Sequence, residues 1–209
     1  MMGWATVRYG GILMDVLRGA EAVVRKDRLL GGHVALKIRM PKGYRVEELD
    51  SMLRRERTRA EARLLHKAKL AGVLCPTVLE VDEKRSSITT TFIEGIRPEG
   101  KKLNLRLATR IGALLVRLHR ADIIHGDFTP ANLIISSDDP HALYVIDFGL
   151  GFISNDVEDK AVDVFTMLRS LGSDKRLKEA FLEGYSGYAK AAFVLKRVEG
   201  IEKRVRYAI

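Results

Sequence analysis

The sequence predicts an α+β chain built as two lobes, the first rich in strands and the second mainly helical. Three observations carry that expectation. Across residues 33–93 apolar and polar residues alternate in short segments around one long helical stretch. From residue 105 onward the apolar period becomes helical, interrupted by a small hairpin. Between the two, Gly95, Pro98 and Gly100 gather in "FIEGIRPEG" (92–100), a composition that ends regular structure. A ligand site is expected in the cleft between two such lobes.

Taken in order, Gly19 stands at a turn before a short strand, "AVV". "HVALKI" (33–38) alternates and predicts a strand. Residues 47–72 predict a helix, with Leu49, Leu53, Ala60, Leu64 and Ala68 at helical spacing and Gly72 as its stop. "TVLEVD" (77–82) and "SSITTTFI" (86–93) predict two strands around the turn "EKRS". Residues 105–122 predict a second helix whose stripe is Leu107, Ile111, Leu114, Leu115 and Leu118. "NLIIS" (132–136) and "LYVID" (143–147) predict a hairpin around "SDDPH". Helices resume at 158–171, at 176–192 and again near the end.

Composition narrows the function. The 209 residues fit one domain or two small lobes, and 46% hydrophobic content is enough for a packed core. Net charge is +9, from 36 Lys and Arg against 27 Asp and Glu, which favours a polyanionic partner. The single cysteine, Cys75, excludes an intrachain disulfide and a zinc cluster and reads as a buried apolar filler. "MMGWATVRYGG" lacks a basic region followed by an apolar run, so no secretory signal is expected. No apolar run approaches the ~18 residues of a membrane span, so a cytoplasmic protein without membrane contact is expected.

The chemistry concentrates in two stretches. "IIHGDFTPANLII" (123–135) sets His125, Asp127, Thr129 and Asn132 inside an apolar frame. "LYVIDFGLG" ends an apolar strand on Asp147 and follows it with two glycines. A carboxylate there can hold a hard cation, and magnesium takes only one or two carboxylates beside water and phosphate oxygens. Asn132 can add a neutral oxygen, and Asp127, one residue past Gly126, can accept a proton or orient a water. Either stretch alone has a bland explanation, a turn or a hydrogen-bonded loop. Together, 20 residues apart from Asp127 to Asp147 and each beside an apolar strand, they predict groups arranged around a nucleotide's phosphates.

In "VALKI", Lys37 and Arg39 share the face opposite Val34, Leu36 and Ile38. Lys37 is therefore expected to neutralise phosphate oxygens, tethered by Glu61 on or near the buried face of its helix. The residues around Gly19 hold no triple-glycine loop and by themselves predict a β-turn as readily as a phosphate cradle.

At these residues the sequence resembles protein kinases: "VALK", Glu61, "HGDFTPAN" and "DFG" occupy the places of the lysine strand, its helix partner, the catalytic loop and the metal motif. It is more closely similar to the small atypical kinase of the KEOPS complex, the PRPK family. "RGAEAVV", "RMPKGYR", "RRERTRAEARLL", "DFGLGFISNDVEDKAVDV" and "LKRVEGI" carry that resemblance over about residues 17–207. It implies a minimal bilobal protein-kinase-like fold, with a β-rich lobe over 1–94 and a shortened helical lobe over 95–209. It implies an ATP-binding serine/threonine kinase or ATPase that uses Mg2+ and acts in threonylcarbamoyladenosine modification of tRNA. Its partners would be the KEOPS transferase subunit, a small helper subunit and tRNA. By position, Lys37 and Asp127 would be catalytic, and Lys37, Glu61, Gly19, Thr91 and Ile93 would bind the nucleotide. Asn132 and Asp147 would bind metal, and Asp163 would be the buried acid that holds the catalytic loop. "ITTTFIEG" departs from the family's usual acid at position 91, which puts only a side-chain preference in doubt.

Against ordinary kinases the chain is abbreviated. Thirteen residues separate Gly149 from Asp163, too few for an activation segment, and Gly126 replaces the usual arginine. No activation-loop switch is expected, and ATP hydrolysis or autophosphorylation should exceed phosphorylation of other proteins. Residues 39–69 carry ten Lys and Arg against five Asp and Glu, and the last twenty residues carry six against two. The first focus reads equally as a solvated face; the second suits tRNA or a partner's cleft. The rival expectations are a stand-alone serine/threonine kinase and an ATP-binding scaffold without turnover.

Overall fold

The computed structural model describes residues 5–9, 12–19 and 21–207. The segment read for a secretory signal and the extreme end of the basic tail lie partly outside the described residues. The chain forms two compact units, one of residues 1–66 and 76–93 and the other of 67–75 and 94–209.

The first unit is a six-stranded antiparallel sheet with a long helix. Its strands are β1 (Ala5–Tyr9), β2 (Ile12–Arg18), β3 (Ala22–Leu29), β4 (Gly32–Arg39), β5 (Val78–Asp82) and β6 (Ser87–Thr91). They are ordered β1-β2-β3-β4-β6-β5. The expected strands are present, and the sheet extends two strands beyond the sequence expectation at its start. β4 is central: Lys37 lies opposite Val24 on β3 and Ile88 on β6. Helix α1 (Glu47–Leu70) opens with Glu47, Glu48 and Asp50 and closes with Lys67 and Lys69, charges that suit its dipole. Its buried side carries Thr58, Glu61, Leu64, Leu65 and Ala68, whereas Leu49 and Ala60 of the expected stripe are exposed and Leu53 is half-buried. The apolar stripe therefore covers only the C-terminal part of the helix. Near its start Asp50 is buried and takes Arg54 Nε at 2.6 Å.

The second unit is helical. Asn104 caps α2 (Leu105–Arg120) by accepting from the Leu107 amide, and Leu107, Ile111, Leu114, Leu115 and Leu118 are all buried. α3 is Val157–Ser170, α4 is Lys175–Tyr185 and α5 is Ala191–Tyr207. The helices expected over 176–192 and near the end are α4 and α5, with the break between them earlier than expected, around Ser186 and Gly187. α2 and α4 cross at two glycines. A Cβ on Gly112 would lie 2.1 Å from the Phe181 carbonyl oxygen, and one on Gly184 would lie 1.9 Å from that of Thr109. Larger residues would force these helices apart. α5 packs Val194, Val198 and Ile201 into the core, and Arg197 and Arg204 both bond Glu158 of α3. Three short strands complete the hairpin sheet: β7 (Gly95–Ile96), β9 (Leu133–Ser136) and β10 (Leu143–Val145), in the order β10-β9-β7. β8 (Ile123–Ile124) pairs with β11 (Phe152–Ile153). Cys75 is buried, as expected, and burial pushes its thiol up. No described helix is long and apolar enough to cross a membrane.

Candidate active site

In the first unit, Lys37 Nζ meets Glu61 Oε1 at 2.7 Å. The other carboxylate oxygen accepts from Arg39 NH2 at 2.6 Å. Period-two alternation on β4 puts both cations on the face that meets α1. Arg39 was visible on that face in the sequence, but nothing there indicated that Glu61 would serve two cations. Thr91 is turned into the sheet: its amide donates to the Thr77 carbonyl and its Oγ1 accepts from the Thr77 amide, each at 2.9 Å. Ile93, half-buried, closes the last segment of this unit. Gly19 is exposed, and its amide donates to the Ala22 carbonyl at 2.9 Å.

In the second unit the loop after β8 is held from several sides. Asp163, fully buried on α3, accepts from the His125 amide at 2.7 Å through Oδ2 and from the Gly126 amide at 2.9 Å through Oδ1. Of its two neighbours on α3, Val164 is buried and Val162 is exposed. The His125 ring is buried between Phe128 and Phe148. Its Nε2 donates to the Ile146 carbonyl at 3.0 Å, and its Nδ1 accepts from the Asp127 amide at 3.3 Å. One ring thereby ties Asp127 to the residue before Asp147 and fixes its own tautomer. Asn132 completes the brace. Its Nδ2 donates to the Asp127 carbonyl at 2.8 Å and to Asp127 Oδ2 at 2.9 Å, and its carbonyl accepts from the Ile146 amide at 3.0 Å. Both amide protons of Asn132 face Asp127, which leaves Oδ1 on the opposite edge.

Asp147 is exposed at φ +61°, a left-handed conformation rare for a residue with a side chain, and its Oδ1 accepts from the Gly149 amide at 3.2 Å. Gly126 has φ +82°, and a Cβ there would lie 2.3 Å from the Leu150 carbonyl oxygen. The segment after Asp147 therefore lies directly on the loop, where any side chain at 126 would collide with it. That segment pairs through β11 with β8 and enters α3 at Val157, so no long insertion separates them.

Behind the loop lies a buried polar chain that the sequence did not reveal. His119 Nδ1 meets the Tyr185 hydroxyl at 2.7 Å, and its Nε2 meets Asp163 Oδ2 at 3.4 Å. Burial holds His119 below its ordinary value against the pull of Asp163, so it is neutral. It donates from Nε2 and accepts from tyrosine. Burial likewise raises Tyr185 and keeps its hydroxyl a donor. The one signal was His119 one residue past Leu118 in the buried stripe. Beside this chain Lys160 Nζ donates to Asp122 Oδ1 at 2.7 Å. Burial opposes the Lys160 charge, but Asp122 and Tyr188 outweigh it and raise the ammonium above its ordinary value.

Residues 123–194 match a family model described as the phosphotransferase enzyme family. Solved structures of the Rio2 kinase from Chaetomium thermophilum share the fold. One, without a named ligand, gives a TM-score of 0.60 at 18% identity over 93% of this chain and 72% of the other. Another, an ADP/Mg2+-phosphoaspartate complex, gives 0.56 at 20% identity over 93% and 70%. The class is thus a minimal kinase-like fold, with a β-sheet part and a helical part. A "probable serine/threonine-protein kinase BUD32 homolog" of Archaeoglobus fulgidus is 39% identical over 198 residues, 93% of this chain and 96% of that one. The chain belongs to the Bud32 family. A "probable bifunctional tRNA threonylcarbamoyladenosine biosynthesis protein" of Methanosarcina acetivorans is 41% identical over 196 residues, and that of Methanocaldococcus jannaschii is 40% identical over 197. This chain spans only 35% and 36% of those two longer proteins.

Proposed function

We propose that the chain binds ATP with Mg2+ and transfers or hydrolyses its γ-phosphate, as an atypical serine/threonine kinase or ATPase serving threonylcarbamoyladenosine modification of tRNA. The observation that carries this is the braced pair Asp127–Asn132, fixed by Asp163 from behind. Catalysis of phosphoryl transfer is mostly positioning and charge stabilisation, and this loop supplies both. Asp127 presents an exposed carboxylate to accept the proton of a serine or threonine hydroxyl or to orient a water. Lys37, held by Glu61, supplies a point charge for phosphate oxygens. The Thr91 amide is committed to Thr77, so adenine recognition falls to the Thr91 carbonyl and the Ile93 backbone. Gly19 would contribute shape rather than an amide.

The donor set suits magnesium: the exposed Asp147 carboxylate and the outward Oδ1 of Asn132, with no group of three or more His, Cys, Asp or Glu fit for a metal among the described residues. Bound there, the ion would neutralise phosphate oxygens. Bifunctional relatives, in which this chain matches only about a third, support a partner domain acting on tRNA. We assign that part to a KEOPS transferase subunit, with a small helper subunit and the basic α5 helix meeting the partner or tRNA.

Phosphate release, measured with and without a transferase partner and tRNA, tests the proposal. Turnover that rises in the assembly and falls by about a hundredfold or more in Asp147→Ala is the expected result. Wild-type turnover in Asp147→Ala would sink the metal assignment. Vigorous phosphorylation of an added protein by the isolated chain would favour a stand-alone kinase, and nucleotide binding without turnover a scaffold.

A further inference from the structure

Glu61 is the meeting point of two cations that differ in exposure. Its side chain is 4% exposed, that of Arg39 5% and that of Lys37 13%. Arg39 is fixed at every end. Its backbone amide donates to the Ser86 carbonyl at 3.1 Å. Its guanidinium bonds Glu61 at 2.6 Å, reaches the Arg57 carbonyl at 3.5 Å and stands 3.9 Å from Glu21. Glu21 is itself held by Arg57 at 2.6 Å, a hydrogen bond that keeps its carboxyl below the ordinary value. A planar, multiply bonded guanidinium is the better anchor, and a flexible ammonium is the better reaching group. With one oxygen pinned by Arg39, the carboxylate cannot rotate away from Lys37, and α1 cannot withdraw it without stranding a buried arginine.

We infer that Arg39 is a positioning residue for the Lys37–Glu61 pair, holding it assembled without nucleotide or partner. This rests on the proposed phosphate role of Lys37. It makes α1 a fixed support rather than a switch: the usual means of disabling such a pair, swinging the helix carboxylate away, is blocked by the buried guanidinium. Partner control of activity then has to act elsewhere than on this pair.

A double-mutant cycle on nucleotide affinity tests the inference, with Kd for an unhydrolysable ATP analogue read by calorimetry on the whole chain. Arg39→Leu is expected to weaken binding about tenfold in the wild-type background and to add less than about twofold to Lys37→Ala, because its effect runs through Lys37. Arg39→Lys, which keeps a charge, should recover about half of the loss on a logarithmic scale. It also stands in for Arg39→Leu if that variant does not fold. In turnover, KM for ATP should rise while kcat stays within about twofold, since saturating nucleotide re-forms the pair. Equal loss from the Arg39 substitution in both backgrounds overturns the inference and leaves the ATP reading standing. No loss in Lys37→Ala itself overturns both.

Discussion

In the first unit a buried carboxylate, Glu61, is gripped by two cations; in the second a buried carboxylate, Asp163, is gripped by two backbone amides. The first arrangement positions a side chain, Lys37, and its currency is charge. The second positions a backbone, the 125–127 loop, and its currency is geometry. A defect in the first should yield in part to a substitute that restores charge. A defect in the second should not, because no charge can replace two acceptors aimed at consecutive amides. The two also differ in what surrounds them. Around Glu61 are further ions, Glu21 and Arg57; around Asp163 are neutral His119, Tyr185 and the aromatic cage of His125.

The largest effect follows from removing the amide acceptor. In Asp163→Asn the amide oxygen can serve one loop N–H, and its own NH2 group then faces the other. A buried donor facing a donor costs about 2–4 kcal/mol, and the loop loses the geometry that aims Asp127. Urea unfolding should show that loss, and phosphate release should fall with it. If the variant keeps wild-type stability, the two regions do not differ as described. The contrast sharpens with Arg39→Lys in the first unit, where partial recovery is expected.

A second, smaller effect separates the regions by pH. The folded value of His119 lies below its ordinary 6.5, chiefly through burial. As pH falls below 6.5 the unfolded chain takes up a proton that the folded chain refuses, so stability drops. It is fully present above 6.5 and lost progressively toward the folded value. Thermal unfolding followed from pH 7.5 to 5.5 should therefore show a falling Tm. His119→Asn should start lower, having lost the Tyr185 bond, and run flatter. Parallel profiles for the two proteins would show that His119 does not carry the acid sensitivity.

Much of this was legible in the sequence for a definable reason. Local period and short motifs report local structure, and "VALK", "HGDFTPAN" and "DFG" sit on or beside the expected strands. The buried stripe of α2 was legible residue by residue. What escaped depends on contacts distant in sequence. His119 and Tyr185 are 66 residues apart, and neither carries a local sign of the other. Leu49 is exposed beside the buried Asp50, because long-range packing rather than the local period decides which side of α1 is covered at its start. The break between α4 and α5 was expected several residues too late, because Gly184, Ser186 and Gly187 are weak punctuation in a helical pattern. Arg39 lay between these cases: alternation gave its face, but only the folded sheet and helix show that it shares Glu61.

The smallest effect concerns α5, where the basic tail proves to be partly spent within the protein. Glu158 takes both Arg197 and Arg204, with the arginine side chains 57% and 63% exposed. Exposed pairs of this kind contribute about 0–1 kcal/mol, and Arg197 remains to serve Glu158 when Arg204 is removed. Arg204→Ala should thus lower the unfolding free energy obtained from urea titration by less than about 1 kcal/mol. Its consequence for RNA is more telling. Lys203 is exposed and neighbours Arg204 on the same helix, but Arg204 shares its charge with a carboxylate. If α5 contacts phosphates, Lys203→Ala should lower the slope of log affinity against log salt by about one, and Arg204→Ala by clearly less. Titrations of tRNA across salt concentrations with each variant measure this. Equal slopes would mean that Glu158 does not neutralise Arg204 when RNA is bound, and two unchanged slopes would remove α5 from the interface.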